Sequence, residues 1–280
     1  MKKVLLSLLV CFWAMSGFAG ENVSFSDYFE NRTLRVDFFI TGNAEEEEVT
    51  LDQIYEQGIW AGNPRHLIDD FIKGAYFIKV YDVASNRLIY SRGFDCIFSE
   101  YRTTNPALEG RKRTYHHSAL IPLPKREVRF VIEKGDRMNI YRPLFVETID
   151  PNGAEVRREE PGGEVTVYEA QISREPHYAV DLAWIGEGYT AAEYEKFKAD
   201  VNRYMDVLFS YEPYKKHRKQ FNIYGIFKPS AESGVDEPTK RLYRSTAVNA
   251  SFNALNLPRY LLTEDNRTFR NCAAHVPYDA

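Results

Sequence analysis

Between residues 33 and 150, apolar and polar positions alternate in short runs, the period of half-buried β-strands. Leu34, Val36, Phe38 and Ile40 interleave with Arg35, Asp37 and Phe39. Residues 75–82 and 88–92 form a hairpin pattern around Ala84-Ser85-Asn86-Arg87. Val128, Phe130 and Ile132 share one face of the next run, which ends at Lys134-Gly135-Asp136. Another strand follows over 141–149 and is stopped by Asp150-Pro151-Asn152-Gly153. Residues 51–57 read differently, as a short helix. Many short strands with Gly and Pro between them predict a β-sandwich-like domain.

The period changes after residues 150–165, where Asp150-Pro151-Asn152-Gly153 and Pro161-Gly162-Gly163 flank a charged stretch, the best linker candidate. Residues 178–185 are nearly continuously apolar, which suits a strand buried on both faces. Thr190 and Glu193 make a capping box. Tyr194, Phe197, Val201, Tyr204, Met205 and Leu208 then fall at helical spacing, predicting a helix over 191–209 before Pro213. The next strand covers 221–227. Strand, helix and strand in this order open an α/β unit. The expectation is an α+β protein with three parts: a leader over 1–19, a sandwich-like domain over 20–160, and an α/β segment over 161–280.

The leader changes the picture of where the chain works. Lys2 and Lys3 precede an apolar stretch over 4–13, and Gly17-Phe18-Ala19 places small residues at the expected cleavage site. Cys11 follows the bulky Val10, which does not suit a lipid-anchored leader. Export to the periplasm, cell surface or exterior is therefore expected. Removing Lys2 and Lys3 takes the bases from 36 to 34 against 40 acids, a mature net charge of −6. With no basic run, a general nucleic-acid binder is disfavoured. After the leader no apolar run reaches membrane-spanning length.

Candidate chemistry is sparse. Cys96 and Cys272 are the cysteines left after cleavage; their spacing leaves open whether they pair or stay buried thiols. Gly186-Glu187-Gly188-Tyr189-Thr190-Ala191 matches a dinucleotide-binding turn between strand and helix. No carboxylate follows on the next strand, however, so a tight turn is the better reading. Among His66, His116, His117, His177, His217 and His275 there is no HExxH pair. His116 and His117 are adjacent, and on a strand they face opposite sides. Glu45–Glu48 reads as a solvated acidic turn, and Ser230-Ala231-Glu232-Ser233-Gly234 as a flexible loop rather than a nucleophile elbow.

Several short pieces in order resemble one family. Ile59-Trp60-Ala61-Gly62-Asn63-Pro64, Val80-Tyr81-Asp82 and Tyr90-Ser91-Arg92-Gly93-Phe94 with Phe98 and Glu100 are similar to the N-terminal β-domain of the bacterial IgA-peptidase family. Gly186–Thr190, Phe221-Asn222-Ile223-Tyr224, Ser233-Gly234-Val235-Asp236 and Val276-Pro277-Tyr278-Asp279 resemble the opening of its peptidase domain. The resemblance implies a secreted zinc metallopeptidase acting on protein or peptide substrates, with a zincin-like catalytic domain. In such enzymes zinc polarises the scissile carbonyl and activates water.

The family's HExxH has no counterpart in these 280 residues, so the resemblance transfers no catalytic, cofactor-binding or metal-binding residue. The expectation is a truncated peptidase, inactive as this chain, with zinc belonging to the full-length family and no cofactor of its own. The alternative is a non-catalytic surface module that binds glycan or protein through exposed aromatics. A cut-short α/β segment would further leave Phe221, Ile223 and Phe227 exposed.

Overall fold

The computed structural model describes residues 23–71, 74–159 and 163–279. The expected leader and the expected 160/161 boundary lie outside the described residues.

Two four-stranded sheets form the first part. One is ordered β5-β1-β2-β8, from β1 (Phe29–Gly42), β2 (Glu47–Gln57), β5 (Arg113–Pro124) and β8 (Val156–Arg157). The other is ordered β4-β3-β6-β7, from β3 (Tyr76–Asp82), β4 (Arg87–Phe94), β6 (Val128–Gly135) and β7 (Tyr141–Ile149). Leu34, Val36, Phe38 and Ile40 share one core with Ile78, Val80, Phe130 and Ile132, so the two sheets close face to face. Short helices α1 (Phe25–Tyr28), α2 (Ile97–Tyr101) and α3 (Asn105–Leu108) fill the ends.

The second part is a three-stranded mixed sheet ordered β10-β11-β9, with β9 (Thr166–Gln171), β10 (Val180–Ile185) and β11 (Phe221–Phe227). β10 and β11 run parallel, joined through α4 (Tyr194–Leu208) and α5 (Tyr214–His217). β9 pairs antiparallel with β11. A last helix, α6 (Asn266–Ala273), packs against both β5 and β10 and so bridges the two parts. The mixed α+β class is the one the hydrophobic pattern implies.

Five local expectations are corrected. Residues 51–57 belong to β2 rather than to a helix. Asp37 pairs with Gln53 and Phe38 with Leu51, so Asp52 is the extra residue of a β-bulge. The bulge shifts the alternation by one place, which makes Leu51 and Ile54 look helically spaced. Val156–Arg157, inside the expected linker, is a strand paired with β2. β10 is an edge strand and only partly covered; the strand buried along its whole length is the central β11.

Phe221, Ile223 and Phe227 are buried, at 9%, 0% and 5% exposure. Met205, Phe209, Phe197 and Val201 of the α4 region cover them, with Tyr214 of α5 against Phe221. Finally, Arg35 and Asp37 do not face solvent. Both are fully buried, because the second part lies over the face of β1 that alternation assigns to water.

Candidate functional site

The densest polar group sits at this junction. Arg35 donates to both carboxylate oxygens of Asp37, Nε to Oδ1 at 2.8 Å and a terminal nitrogen to Oδ2 at 2.7 Å. Its other terminal nitrogen donates to Asn271 Oδ1 of α6 at 2.9 Å, and its guanidinium stacks 4.3 Å from the Tyr55 ring. A forked pair of this kind fixes geometry as well as charge. Sheet register places Ser118 opposite Asp37, and Ser118 Oγ donates to Asp37 Oδ1 at 2.5 Å. Asn266 of α6 donates in turn to Ser118 Oγ at 2.9 Å.

The bulge turns Asp52 into the same group. His116 Nε2 lies 3.1 Å from Asp52 Oδ2 and 3.8 Å from Asp37 Oδ2. Burial holds the His116 pKa below its ordinary value; Asp37 and Asp52 pull the other way without prevailing. Asn266 Nδ2 sits 3.4 Å from His116 Nδ1 on the other side of the ring. Arg267 pairs with the same Asp52 oxygen, Oδ2, that faces His116.

Asp37, Asp52 and His116 are the one metal-type grouping among the described residues, with ligand atoms within 4.8 Å of one another. The sequence shows no sign of it, because its members come from three strands and one reaches the face through a bulge. Its chemistry does not fit a hydrolytic zinc. Asp37 already accepts three hydrogen bonds, Arg267 holds Asp52, and a dication there would sit against two guanidinium groups. Two acids and two arginines balance. The group joins the two parts of the molecule, and no zinc step is derived from it.

The glycine-rich turn is also structural. Gly188 has φ +73°, and a Cβ there would stand 2.1 Å from the Gly234 carbonyl oxygen. A Cβ on Gly186 would meet the Phe197 ring at 2.7 Å. Glu187 between them accepts from Thr246 Oγ1 at 2.5 Å and from the N–H groups of Ala250 at 2.8 Å and Val248 at 3.0 Å. The helix start is closed by Glu193, which accepts from Thr190 N at 2.8 Å. The turn therefore serves as a clamp on the 246–250 loop. The neighbouring serine-rich segment is tied as well: Ser230 Oγ accepts from Ala247 N, and Glu232 accepts from Ser245 N.

At the start of β10, Asp181 is fully buried. Its Oδ1 accepts from Asn222 Nδ2 at 2.8 Å, while Oδ2 has no hydrogen-bond partner among the described residues. Asp279 brackets it, donating its N–H to Asp181 O at 2.8 Å and accepting from Asp181 N at 3.0 Å. Burial pushes the Asp181 pKa up to about 6 and raises that of Asp279 too.

The remaining histidines take local roles. His177 Nδ1 lies 3.0 Å from Gly62 O and His275 Nδ1 3.2 Å from Cys272 O, while His117 packs on Phe38. Cys96 and Cys272 are free thiols, and burial raises both pKa values, so neither is an activated thiolate.

A closed β-sandwich joined through a buried polar group to a βαβ unit defines a two-part α+β protein. A family model described as Peptidase M64 N-terminus matches residues 24–146, and one described as IgA Peptidase M64 matches residues 169–280. The chain belongs to the IgA-peptidase M64 family, a family of metallopeptidases whose substrates are proteins or peptides. The resemblance read from the short motifs is thereby borne out. No curated protein matches the chain. Among the described residues no helix is long and apolar enough to cross a membrane.

Proposed function

We propose that this chain belongs to an exported zinc metallopeptidase acting on proteins or peptides, and that its residues supply the frame rather than the metal centre. The observation that carries this reading is the pair of family matches, N-terminal part first and peptidase part second, along one chain. The buried junction supports it. Arg35, Asp37 and Asn271 set the angle between the sandwich and the peptidase segment, and Glu187 holds the loop that follows the βαβ unit. No peptide hydrolysis is expected from these residues by themselves, an expectation that rests on the lack of HExxH in the sequence and on the two guanidinium groups around the grouping of Asp37, Asp52 and His116.

The test uses the mature chain, residues 20–280. Zinc is measured by mass spectrometry after dialysis, and cleavage of a quenched fluorescent peptide is followed with and without a chelator. Substoichiometric zinc and no cleavage are expected. One tightly held zinc per chain, with chelator-sensitive cleavage, would overturn the reading. Export is tested by fusing residues 1–25 to a leaderless phosphatase, whose activity should appear outside the cytoplasm.

The reading as a non-catalytic binding module draws on one feature, an open cleft between the two parts. The exposed tyrosines, among them Tyr178, Tyr204, Tyr211 and Tyr243, lie in the second part, while Phe71, 94% exposed, lies in the first.

A further inference from the structure

A cleft of 660 Å³ opens where β4 and β5 form the edges of their sheets. One wall is seven consecutive residues of β5, Thr114 to Leu120; across from it stand the loop before α6 and α6 itself. β5 pairs with β1 and with no other strand, so among the described residues its second backbone edge has no strand partner. Natural proteins blunt or cover such edges, because their N–H and C=O groups accept another chain readily.

The side chains in the cleft are also incomplete. Seven buried side-chain polar atoms lack a hydrogen-bond partner among the described residues. Three of them, Tyr115 OH, His117 Nε2 and Arg270 Nε, belong to residues lining this cleft. A buried polar group left unpaired is costly, so such a concentration marks a place that something else completes. Arg270 is the strongest of these. Its guanidinium lies 5.8 Å from the Tyr278 ring and makes no ion pair among the described residues. A half-buried guanidinium without a carboxylate is unusual, and planar carboxylate groups match its fork. His117 beside it is held neutral, its pKa pushed down to about 4 by burial, with lesser contributions from His116 and Arg270.

We propose that this cleft binds an extended peptide, which adds as a strand along the free edge of β5 and sets a carboxylate against Arg270. Seven residues of extended chain span about 23 Å, the length of the exposed β5 wall. A strand added there would pair its backbone with β5 and turn alternate side chains into the cleft. The carboxylate comes from the peptide's C-terminus or from an Asp or Glu side chain. Calling that peptide a substrate rests on the peptidase reading above; its binding does not.

The mature chain is immobilised and offered two random heptapeptide libraries, one ending in a free carboxylate and one amidated. Retained peptides are identified by mass spectrometry and their affinities measured by fluorescence anisotropy. Enrichment from the acid library alone would assign the carboxylate to the C-terminus. Enrichment of Asp- or Glu-bearing members from both libraries would assign it to a side chain. Arg270→Gln should weaken binding at least tenfold and Arg270→Lys by less, with both variants checked for unchanged thermal unfolding. N-methylation of alternate peptide amides should abolish binding in one register and spare it in the other. Amide exchange over 114–120 should slow when peptide binds.

The proposal fails if neither library is retained, if Arg270→Gln binds as the parent does, or if exchange over 114–120 is unchanged. Retention of glycans instead of peptides would also overturn it. None of these readouts requires zinc or cleavage, so a failure here leaves the peptidase reading standing, and the reverse holds.

Discussion

Asp181 offers the sharpest test of the energetics, because its carboxylate is fully buried, accepts one side-chain hydrogen bond, and leaves Oδ2 unpaired near a second carboxylate, Asp279. Asn222 and Tyr224 from β11 are its other polar neighbours, and Arg92 and His177 act on Asp279. Burial lifts its pKa from 3.8 to about 6. Between those values the folded state keeps a proton that the unfolded chain releases. This group's contribution to stability is therefore fully present below pH 3.8 and is lost as pH rises through 6. Each tenfold difference in acidity is about 1.4 kcal/mol, so the loss above pH 6 reaches about 3 kcal/mol. Asp181→Asn keeps the acceptor for Asn222, replaces the orphan oxygen with a donor, and removes the titration. Urea unfolding followed by Trp184 fluorescence, at about pH 4 and about pH 7.5, should show the variant gaining about 1–3 kcal/mol on the parent at the higher pH and little at the lower. Subtracting the two curves cancels carboxylates such as Asp200, whose pKa is lowered to about 2 mainly by Lys196 and Tyr189. A variant less stable than the parent at about pH 7.5, with an unchanged m-value, would refute the reasoning.

Asp37→Asn should cost about 3–5 kcal/mol, because it leaves the fully buried Arg35 without a counter-charge. A loss under about 1 kcal/mol in urea would show that the junction is solvated. Gly188→Ala should lower stability by about 1–3 kcal/mol, from the left-handed backbone and the Gly234 oxygen together; an unchanged melting temperature would contradict the tight approach. Glu187→Gln should weaken three hydrogen bonds on the 246–250 loop, costing about 2 kcal/mol. Limited proteolysis should then cut that loop faster, and identical digestion rates would argue against the clamp.

Much of the architecture could be read from residue order. β1, the hairpin of β3 and β4, β6, β7, α4 and β11 follow from hydrophobic period, and the Thr190–Glu193 cap marked the start of the helix. β2 escaped because a single extra residue, Asp52, breaks a two-residue period. β8 escaped because two residues carry no period at all, and β9 because it lies just beyond the expected linker. The junction group was out of reach in a different way. Arg35 and Asp37 look like the solvent face of a strand until α6, more than 220 residues later, lies on top of them.

Periodicity, capping and turn residues are local, and they act through the few residues on either side. The amino-acid order alone therefore settled most of the element types, the α+β class, the family, and the absence of an HExxH pair. Burial, by contrast, is a property of whatever arrives from elsewhere in the chain. Only packing determined that Arg35 and Asp37 would be dry, that Phe221, Ile223 and Phe227 would be covered, and that Arg270 would line an open cleft with no ion pair among the described residues. The charges were visible from the start, but whether each met water, a counter-ion or an empty space depended on contacts no linear pattern encodes.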